Sequence, residues 1–147
     1  MTGKYFEEFE IGETFKSRSR TITEADVTSF AGLSGDYNEI HVSETYAEDT
    51  IFGTRIAHGP LVFSIGLGLT TQIGYTEETV IGLYGIDNMR FPNPAFPGDT
   101  IRTVQEVTDL REKEKGGVVT LRSTVYNQDD DVCVVWDHQK MVRYADS

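Results

Sequence analysis

The chain has 147 residues, the size of one domain and enough to bury a hydrophobic core without disulfides or metals. Asp and Glu total 24 against 13 Lys and Arg, so the formal net charge at pH 7 is −11. A domain this acidic repels nucleic-acid phosphates and anionic lipid surfaces. We therefore expect a single domain over residues 1–147 whose partners include neither nucleic acid nor a membrane.

The number of cysteines and the length of the apolar segments indicate the cellular compartment of the protein. The single cysteine, Cys133, excludes an internal disulfide and lies in an apolar run, where a buried thiol is expected. Residues 1–10 are acidic and lack the apolar core of a signal peptide. The longest apolar stretch, 61–69, is too short to span a bilayer. We expect a soluble, cytoplasmic protein, whose acidity fits either ordinary solubility or a high-salt habitat.

The first predicted helix covers about 24–33. Thr23 and Asp26 have the spacing of a capping box, in which each side chain binds the other residue's backbone N–H. Thr21 and Glu24 fit the same pattern one step earlier, which leaves the first residue of the helix open. Apolar residues then follow at helical spacing, and a glycine-rich segment ends the helix.

A second helix is predicted to begin at 58–60, His-Gly-Pro, since proline is favoured in the first helical turn. Apolar residues surround segment 61–73 on all sides, which is typical of a buried helix. Gly66 and Gly68 are poor helix formers. We therefore expect a sheet or a neighbouring helix to approach closely at both glycines.

From residue 79 the pattern changes to long runs rich in β-branched and aromatic residues, typical of strands. Four strands are predicted, at 80–91, 101–111, 118–127 and 132–144. In the last one, His138 and Lys140 share the face of Trp136 and make the alternation imperfect. We interpret His138 as a structural or surface residue. The helices and strands together predict an α+β domain with an antiparallel sheet packed around the apolar helix.

The segment after the first helix is the most informative for chemistry. Asp36 and His41 lie five residues apart in a glycine-containing loop. A carboxylate and an imidazole so placed could converge on one water or one substrate proton. Asn38, between them, could fix the loop or orient a side chain. Spacing alone favours a plainer interpretation, in which Gly35-Asp36 is a turn and His41 a partly buried polar residue.

Two motifs add a family resemblance. GDYNEIH at 35–41, followed by AHGPL at 57–61, resembles the hydratase signature of the MaoC-like (R)-specific enoyl-CoA hydratase family. That signature is G-D-x-N-P-[LIV]-H with a downstream H-G before the central helix. Segments 87–91 and 96–100 are similar to the family's strand and turn, so the resemblance covers essentially the whole chain. Glu39 stands where the family usually has Pro, which bears on substrate preference more than on the chemistry.

The resemblance implies a fold, an assembly and an activity. The fold is the hot dog, in which an antiparallel sheet wraps around a long central helix, and the assembly is a homodimer or higher homo-oligomer. The activity is that of a hydro-lyase, which reversibly adds water to an enoyl-CoA thioester and gives a 3-hydroxyacyl-CoA. Coenzyme A is then part of the substrate, and no separate cofactor is expected. No Cys or His cluster has metal-ligand spacing along the chain, so no metal is expected.

The same resemblance gives individual residues their roles. Asp36 and His41 would be catalytic, with Asp36 as the main base toward water and His41 as its acid/base partner. Gly59 would offer its amide to the developing oxyanion at a helix start, where N–H groups are unpaired. His58 is interpreted as a structural histidine that bonds the loop, with a second acid/base group as the alternative. Ser64 is expected to bond its own helix backbone, with a bond to the site as the alternative. The candidate substrate-binding set is Asn38, His58, Gly59 and Ser64.

Two other functions remain open on the same fold: an acyl-CoA thioesterase, and a non-catalytic acyl-binding or regulatory module. Coenzyme A is anionic, so a local basic patch must hold its phosphates against the net charge of −11. Arg55, Arg90 and Arg102 flank the motifs and are the candidates. The sequence leaves open the length and branching of the acyl chain and the physiological direction of the reaction.

Overall fold

The computed structural model describes residues 2–146, with the helices before residue 72 and the long strands after residue 79. The elements in chain order are a 3-10 turn at Phe6–Glu8, β1 (Thr14–Lys16), β2 (Arg20–Thr21), α1 (Glu24–Ser34), α2 (Glu39–Val42), α3 (Glu44–Ala47), α4 (Gly59–Thr71), β3 (Val80–Arg90), β4 (Thr100–Glu112), β5 (Gly117–Tyr126) and β6 (Val132–Val142). The four predicted long strands are confirmed, with their ends shifted by one or two residues. Within this part of the chain, no helix has the length and apolar character needed to cross a membrane.

The strands form an antiparallel sheet in the order β1-β4-β5-β6-β3, and β2 also pairs with β4. The sequence did not predict β1 and β2, because strands of three and two residues are too short to show alternation. β3 ends the order and has three register shifts along its pairing with β6. Its outer edge exposes the apolar residues Val80, Ile81, Leu83 and Tyr84.

α1 begins where the capping box predicts. The Thr23 hydroxyl accepts from the Asp26 N–H at 3.1 Å, and the Asp26 carboxylate accepts from the Thr23 N–H at 2.8 Å. Thr23 is therefore the cap, and the alternative start one step earlier is not used. The helix ends at Gly35, whose φ of +81° lies in the left-handed region that favours glycine. This turn directs the following loop, 36–41, across the start of α4.

α4 is the central helix, and it packs against β4 and β6 in a shared apolar core. A Cβ on Gly66 would lie 2.6 Å from Cγ2 of Val125, and the Thr103 hydroxyl donates to the Gly66 carbonyl at 2.9 Å. The predicted close approach of the sheet is confirmed at Gly66. At Gly68 it is wrong, since no described residue outside the neighbouring backbone of α4 has an atom within 4 Å of where a Cβ would be.

The two glycines give a matched pair of variants. We expect Gly66→Ala to lower the free energy of unfolding by about 1–3 kcal/mol, because the new methyl group must displace Val125 or shift the helix. Gly68→Ala should raise it by up to about 1 kcal/mol, since Ala is the better helix former and the space is open. Chemical denaturation measures both. Equal changes in the free energy of unfolding for the two substitutions would contradict the account, in which the sheet approaches closely at Gly66 but not at Gly68.

The inward face of β6 is buried along its length, including Trp136, His138 and Lys140. Trp136 Nε1 donates to Nδ1 of His138 at 3.1 Å, so the neutral imidazole carries its proton on Nε2. Burial lowers the pKa of His138 to about 4, with the Lys140 ammonium as the second cause. Of the two interpretations, His138 is thus structural rather than a surface residue. Cys133, on the same strand, is buried as predicted.

His138 should weaken the fold in acid. The unfolded chain binds a proton here near pKa 6.5 and the folded chain only near 4, so the free energy of unfolding falls as pH drops through this range. The complete loss of unfolding free energy due to His138 is roughly 3 kcal/mol. His138→Gln keeps an acceptor for the Trp136 N–H and does not titrate, so it should lose less stability over the same range. Urea denaturation at successive pH values measures this, and parallel losses in both proteins would argue against it.

Candidate functional site

The candidate site forms where the loop after α1 meets the start of α4. Asn38 caps α2, because its Oδ1 accepts from the Ile40 N–H at 3.1 Å. α2, which the sequence did not predict, carries His41 back toward Asp36, and Nε2 of His41 lies 3.9 Å from Oδ2 of Asp36. Of the two roles considered for Asn38, the structure thus places it as the residue that fixes the loop.

Asp36 is the exposed member of the pair, with 45% of its side chain accessible. Its N–H donates to the Ser34 hydroxyl at 3.1 Å, and its Oδ1 accepts from the Asn38 N–H at 3.2 Å. These two bonds hold the residue from both sides and leave Oδ2 to face His41 and solvent. A carboxylate held in this way is positioned to accept a proton from a water.

His41 is mostly enclosed, with its side chain 11% exposed. Its Nδ1 lies 2.8 Å from the carbonyl oxygen of Ile56. A carbonyl can only accept, so Nδ1 carries the proton and Nε2 of the neutral ring presents a lone pair toward Asp36. The Ile56 carbonyl therefore fixes both the orientation of the ring and its tautomer.

His58 is the third residue near Asp36 and His41, and it lies on the buried side of that pair. It is fully buried, and its Nε2 donates to the backbone carbonyl of Asp36 at 3.0 Å. Its ring stacks on His41 with the centroids 3.9 Å apart, and Phe30 covers it at 5.0 Å. His58 thus bonds the loop, as the structural interpretation predicts. Its Nδ1 has no hydrogen-bond partner among the residues that the structure describes.

Asp36, His41 and His58 place one donor atom each within 4.8 Å of the others. No metal was expected from the spacing along the chain, which does not show that His58 joins the other two residues in space. One nitrogen of each ring is taken by a backbone carbonyl. The three residues are of the types that hold a divalent cation, and the free atoms of Asp36 and His41 can bind and deprotonate a water.

A largely apolar cavity of about 340 Å³ lies at the start of α4, lined by the chain neighbours of His58 but not by Asp36, His41 or His58 themselves. Its lining includes Gly59, the first residue of α4, and Ile56, whose carbonyl holds His41. A Cβ on Gly59 would lie 3.0 Å from Cε1 of Phe91, so glycine leaves room between the helix start and that ring. The Gly59 N–H has no acceptor within residues 2–146. The positive end of the α4 dipole therefore meets an apolar cavity with a free donor.

Ser64 lies one turn further along α4 and is exposed. Its hydroxyl donates to the carbonyl of Pro60 at 2.8 Å, which is the bond to its own helix that we expected. Among the described contacts none joins Ser64 to Asp36 or His41. The structure therefore does not bring Ser64 into the cluster.

The three candidate arginines differ in their availability to an anion. Arg55 pairs with two carboxylates, at 2.8 and 2.9 Å, and Arg102 pairs with one at 2.7 Å. Arg90 is exposed, its guanidinium donates to a backbone carbonyl at 2.8 Å, and it has no carboxylate partner in residues 2–146. Of the three, Arg90 is the guanidinium that no acidic side chain among the described residues neutralises.

Residues 7–128 match the sequence profile described as "MaoC like domain". The chain is 39% identical over 120 residues to an (R)-specific enoyl-CoA hydratase of Rhodospirillum rubrum, covering 82% of this chain and 79% of that one. It is also 43% identical over 99 residues to Protein MaoC of Klebsiella aerogenes. That match covers 67% of this chain but only 29% of the Klebsiella protein, so the chain spans less than a third of that relative.

Solved structures give the same architecture. A monoamine oxidase regulatory protein from Archaeoglobus fulgius superposes with a TM-score of 0.92 at 37% identity, over 99% of this chain and 97% of that one. A Mycobacterium tuberculosis protein described as having a double hot-dog fold matches with a TM-score of 0.87 at 20% identity, over 97% of this chain and 45% of that one. At that identity the second match shows the fold alone. The expected hot-dog fold is confirmed.

Proposed function

The chain belongs to the MaoC-like domain family of hydratases and dehydratases, and from this premise we propose that it reversibly hydrates an enoyl-CoA thioester to an (R)-3-hydroxyacyl-CoA. The observation that carries the proposal is the Asp36–His41 pair. The two acceptor atoms lie 3.9 Å apart, too far for a direct hydrogen bond and close enough to share one water. Both have their other polar atoms occupied by the backbone, so their free atoms converge on that water.

Proton movement follows from these contacts. In hydration, Asp36 accepts a proton from the shared water while the water oxygen bonds to the β-carbon of the enoyl group. The proton then passes to the α-carbon, either from Asp36 or through Nε2 of His41. One water is added, and both side chains return to their starting states. The two groups act as a unit, so the proton is shared between them rather than belonging to one.

Charge develops on the thioester oxygen as the β-carbon is attacked, and it needs a donor placed in advance. The free N–H of Gly59, at the positive end of α4, is such a donor. Gly59 directly follows His58, whose ring stacks on His41, which supports placing the donor next to the water site. The apolar cavity lined by Gly59 is the place we propose for the acyl portion of the substrate.

The expected homodimer or higher homo-oligomer stays a prediction. The outer edge of β3 has no neighbouring strand within residues 2–146, and it exposes four large apolar side chains. An open apolar strand edge favours pairing with a second chain. Phe91, which directly follows β3, is itself exposed and lines the cavity at Gly59. A second copy on this edge would therefore lie beside the proposed acyl site.

The net charge of the chain predicts how salt affects binding. Coenzyme A is anionic and the chain carries −11, so their overall fields repel. Salt shortens the Debye length to about 10 Å at 0.1 M. We expect KM for an enoyl-CoA to fall, at unchanged kcat, as NaCl is raised from very low levels. Initial-rate measurements test this, and a KM that rose steadily would show that local attraction, as from Arg90, dominates.

Two readouts on one reaction test the proposed function. Crotonyl-CoA mixed with the protein should lose its enoyl absorbance while a thiol-reactive dye detects no free coenzyme A. Release of thiol would instead identify an acyl-CoA thioesterase. No change in either readout, together with binding of the thioester, would identify a non-catalytic acyl-binding module.

A further inference from the structure

Arg55 links the helices that precede and follow the loop 36–41. Its Nη1 and Nη2 donate to the two carboxylate oxygens of Glu24, the first residue of α1, at 2.9 and 3.0 Å. Its Nε donates to Oε1 of Glu44, the first residue of α3, at 2.8 Å. α1 leads into the loop with Asp36, and α3 directly follows the helix that carries His41. One side chain thus joins the two ends of the catalytic segment.

Glu44 holds the backbone beside Arg55 as well as its side chain. Oε1 of Glu44 accepts from the Arg55 backbone N–H at 3.2 Å, and Oε2 accepts from the Thr54 hydroxyl at 2.7 Å. The Thr54 hydroxyl and the Arg55 side chain lower the pKa of Glu44, and Glu44 and Glu24 raise the pKa of Arg55. The guanidinium and both carboxylates are therefore charged at neutral pH. They form a network with a bidentate pair, which holds its geometry better than an isolated surface pair.

Ile56, the next residue, is the one whose carbonyl binds His41. That carbonyl accepts from Nδ1 of His41 at 2.8 Å, and the Ile56 N–H donates to the Ile40 carbonyl at 3.2 Å. Both polar groups of the Ile56 backbone thus pair with α2. A shift of segment 54–56 would move the acceptor away from the imidazole, and the ring proton would then be free to occupy either nitrogen.

Packing leaves a gap beside this segment. A cavity of about 230 Å³ is lined by His41 and Arg55, and by Glu24, Val27 and Ala31 of α1. α1 is therefore not packed tightly against His41 at this point. The ion pair of Arg55 with Glu24 lies along the wall of the cavity and joins α1 to segment 54–56 where packing does not.

We propose that Arg55 is a positioning residue, which keeps His41 in the tautomer whose Nε2 lone pair faces Asp36. The two ion pairs hold segment 54–56, and this segment holds the Ile56 carbonyl against Nδ1 of His41. Among the described contacts none joins Arg55 to Asp36 or His41, so Arg55 acts through that carbonyl. Its effect on kcat rests on the proposed hydration, whereas the tautomer of His41 can be measured without any substrate.

A role of Arg55 in binding coenzyme A phosphates predicts a different result. Loss of a group that binds substrate and transition state equally raises KM at unchanged kcat. Loss of a positioning group lowers kcat instead, because the catalytic group is no longer held in its productive geometry. The contacts favour positioning, since carboxylates of α1 and α3 already occupy Nε, Nη1 and Nη2 of Arg55.

The three histidines of the chain make the tautomer measurable. His41 carries its proton on Nδ1, whereas His58 and His138 carry theirs on Nε2. Two-bond ¹H–¹⁵N NMR spectra of the neutral rings distinguish the two tautomers, and the His41→Asn variant assigns the signals of that ring. In Arg55→Met we expect His41 to show the averaged shifts of two exchanging tautomers, while His58 and His138 keep theirs.

Steady-state kinetics give the second readout. Arg55→Met should lower kcat for crotonyl-CoA by about 10- to 100-fold, and KM should change by at most about threefold. Arg55→Lys should recover part of the loss, because an ammonium can pair with either carboxylate but does not bridge both as the planar guanidinium does. Arg122→Met is the matched control, since it removes an exposed arginine that pairs with Asp137 at 3.2 Å on the sheet. It should leave kcat, KM and the signals of His41 unchanged.

The two readouts decide the proposal together. An unchanged His41 tautomer in Arg55→Met, or a normal kcat, would overturn it, and so would a raised KM at unchanged kcat. If Arg55→Met does not fold, Glu44→Gln takes its place in both measurements, with the same expected directions, because it removes the charge and keeps an acceptor for the residue 55 N–H. If the unaltered protein does not hydrate crotonyl-CoA, the proposed function fails. The His41 tautomer in the variants then still decides whether Arg55 positions that ring.

Discussion

Asp36→Asn is expected to lower kcat for crotonyl-CoA hydration by about 10² to 10⁴-fold, the usual contribution of a positioned acid/base group. The amide cannot take a proton from the shared water. It can still accept the Asn38 N–H, and the backbone carbonyl of residue 36 still accepts from His58. The loop should therefore keep its conformation, and steady-state rates together with the thermal unfolding midpoint separate lost chemistry from lost structure.

Asp49→Asn is the matched control for this variant. Asp49 is an exposed carboxylate on the same stretch of chain, and its side chain makes no hydrogen bond or ion pair with the described residues. The Asp49→Asn variant removes the same negative charge as Asp36→Asn. Its activity therefore shows how much of any change comes from weaker repulsion of coenzyme A. We expect its activity to stay within about twofold of the unaltered protein. If Asp36→Asn is as active as this control and its thermal unfolding midpoint is unchanged, Asp36 is not part of the mechanism.

His41→Asn should cause a loss of the same order, about 10² to 10⁴-fold in kcat. The Asn side-chain N–H can replace Nδ1 as the donor to the Ile56 carbonyl, but nothing replaces Nε2 beside Asp36. His41→Ala should be equally inactive and less stable, because it also removes the ring that stacks on His58. Activity in both variants is measured with crotonyl-CoA at saturating concentration.

The double variant decides whether the two groups act as a unit. If Asp36 and His41 share one proton, removing the second group after the first should cost little more, so the combined loss stays far below the product of the single losses. Fully multiplicative losses would indicate two independent roles. A His41→Asn variant with normal kcat would show that Asp36 works without an imidazole partner.

Local patterns predict the elements of this fold where the pattern is long enough. The capping box at Thr23 and the proline start of α4 place both helices, and alternation places the four long strands. β1 and β2 were not predicted, because two or three residues are too few to show an alternating pattern. α2 and α3 are single turns capped by Asn38 and Ser43. Capping residues so close together are the signal that could have located these two short helices.

The candidate site is predictable in part, for a related reason. Asp36 and His41 are near neighbours in the chain, so a motif can carry both. His58 comes 22 positions after Asp36, and only the folding of α4 against the loop stacks it on His41. Lys140 and His138 show the reverse problem. Alternation correctly assigns them to the face of Trp136, but it left His138 open as a structural or surface residue, and only the packed sheet shows that both are buried.

The central claim is that the Asp36–His41 pair adds one water across an enoyl thioester. Incubation of the protein with crotonyl-CoA in ¹⁸O-labelled water, followed by chiral chromatography and mass spectrometry of the products, tests it most directly. We predict intact coenzyme A thioester with one heavy oxygen on the β-carbon, in the R configuration. Crotonate with heavy oxygen in its carboxylate, or unlabelled crotonyl-CoA recovered unchanged, would contradict the claim.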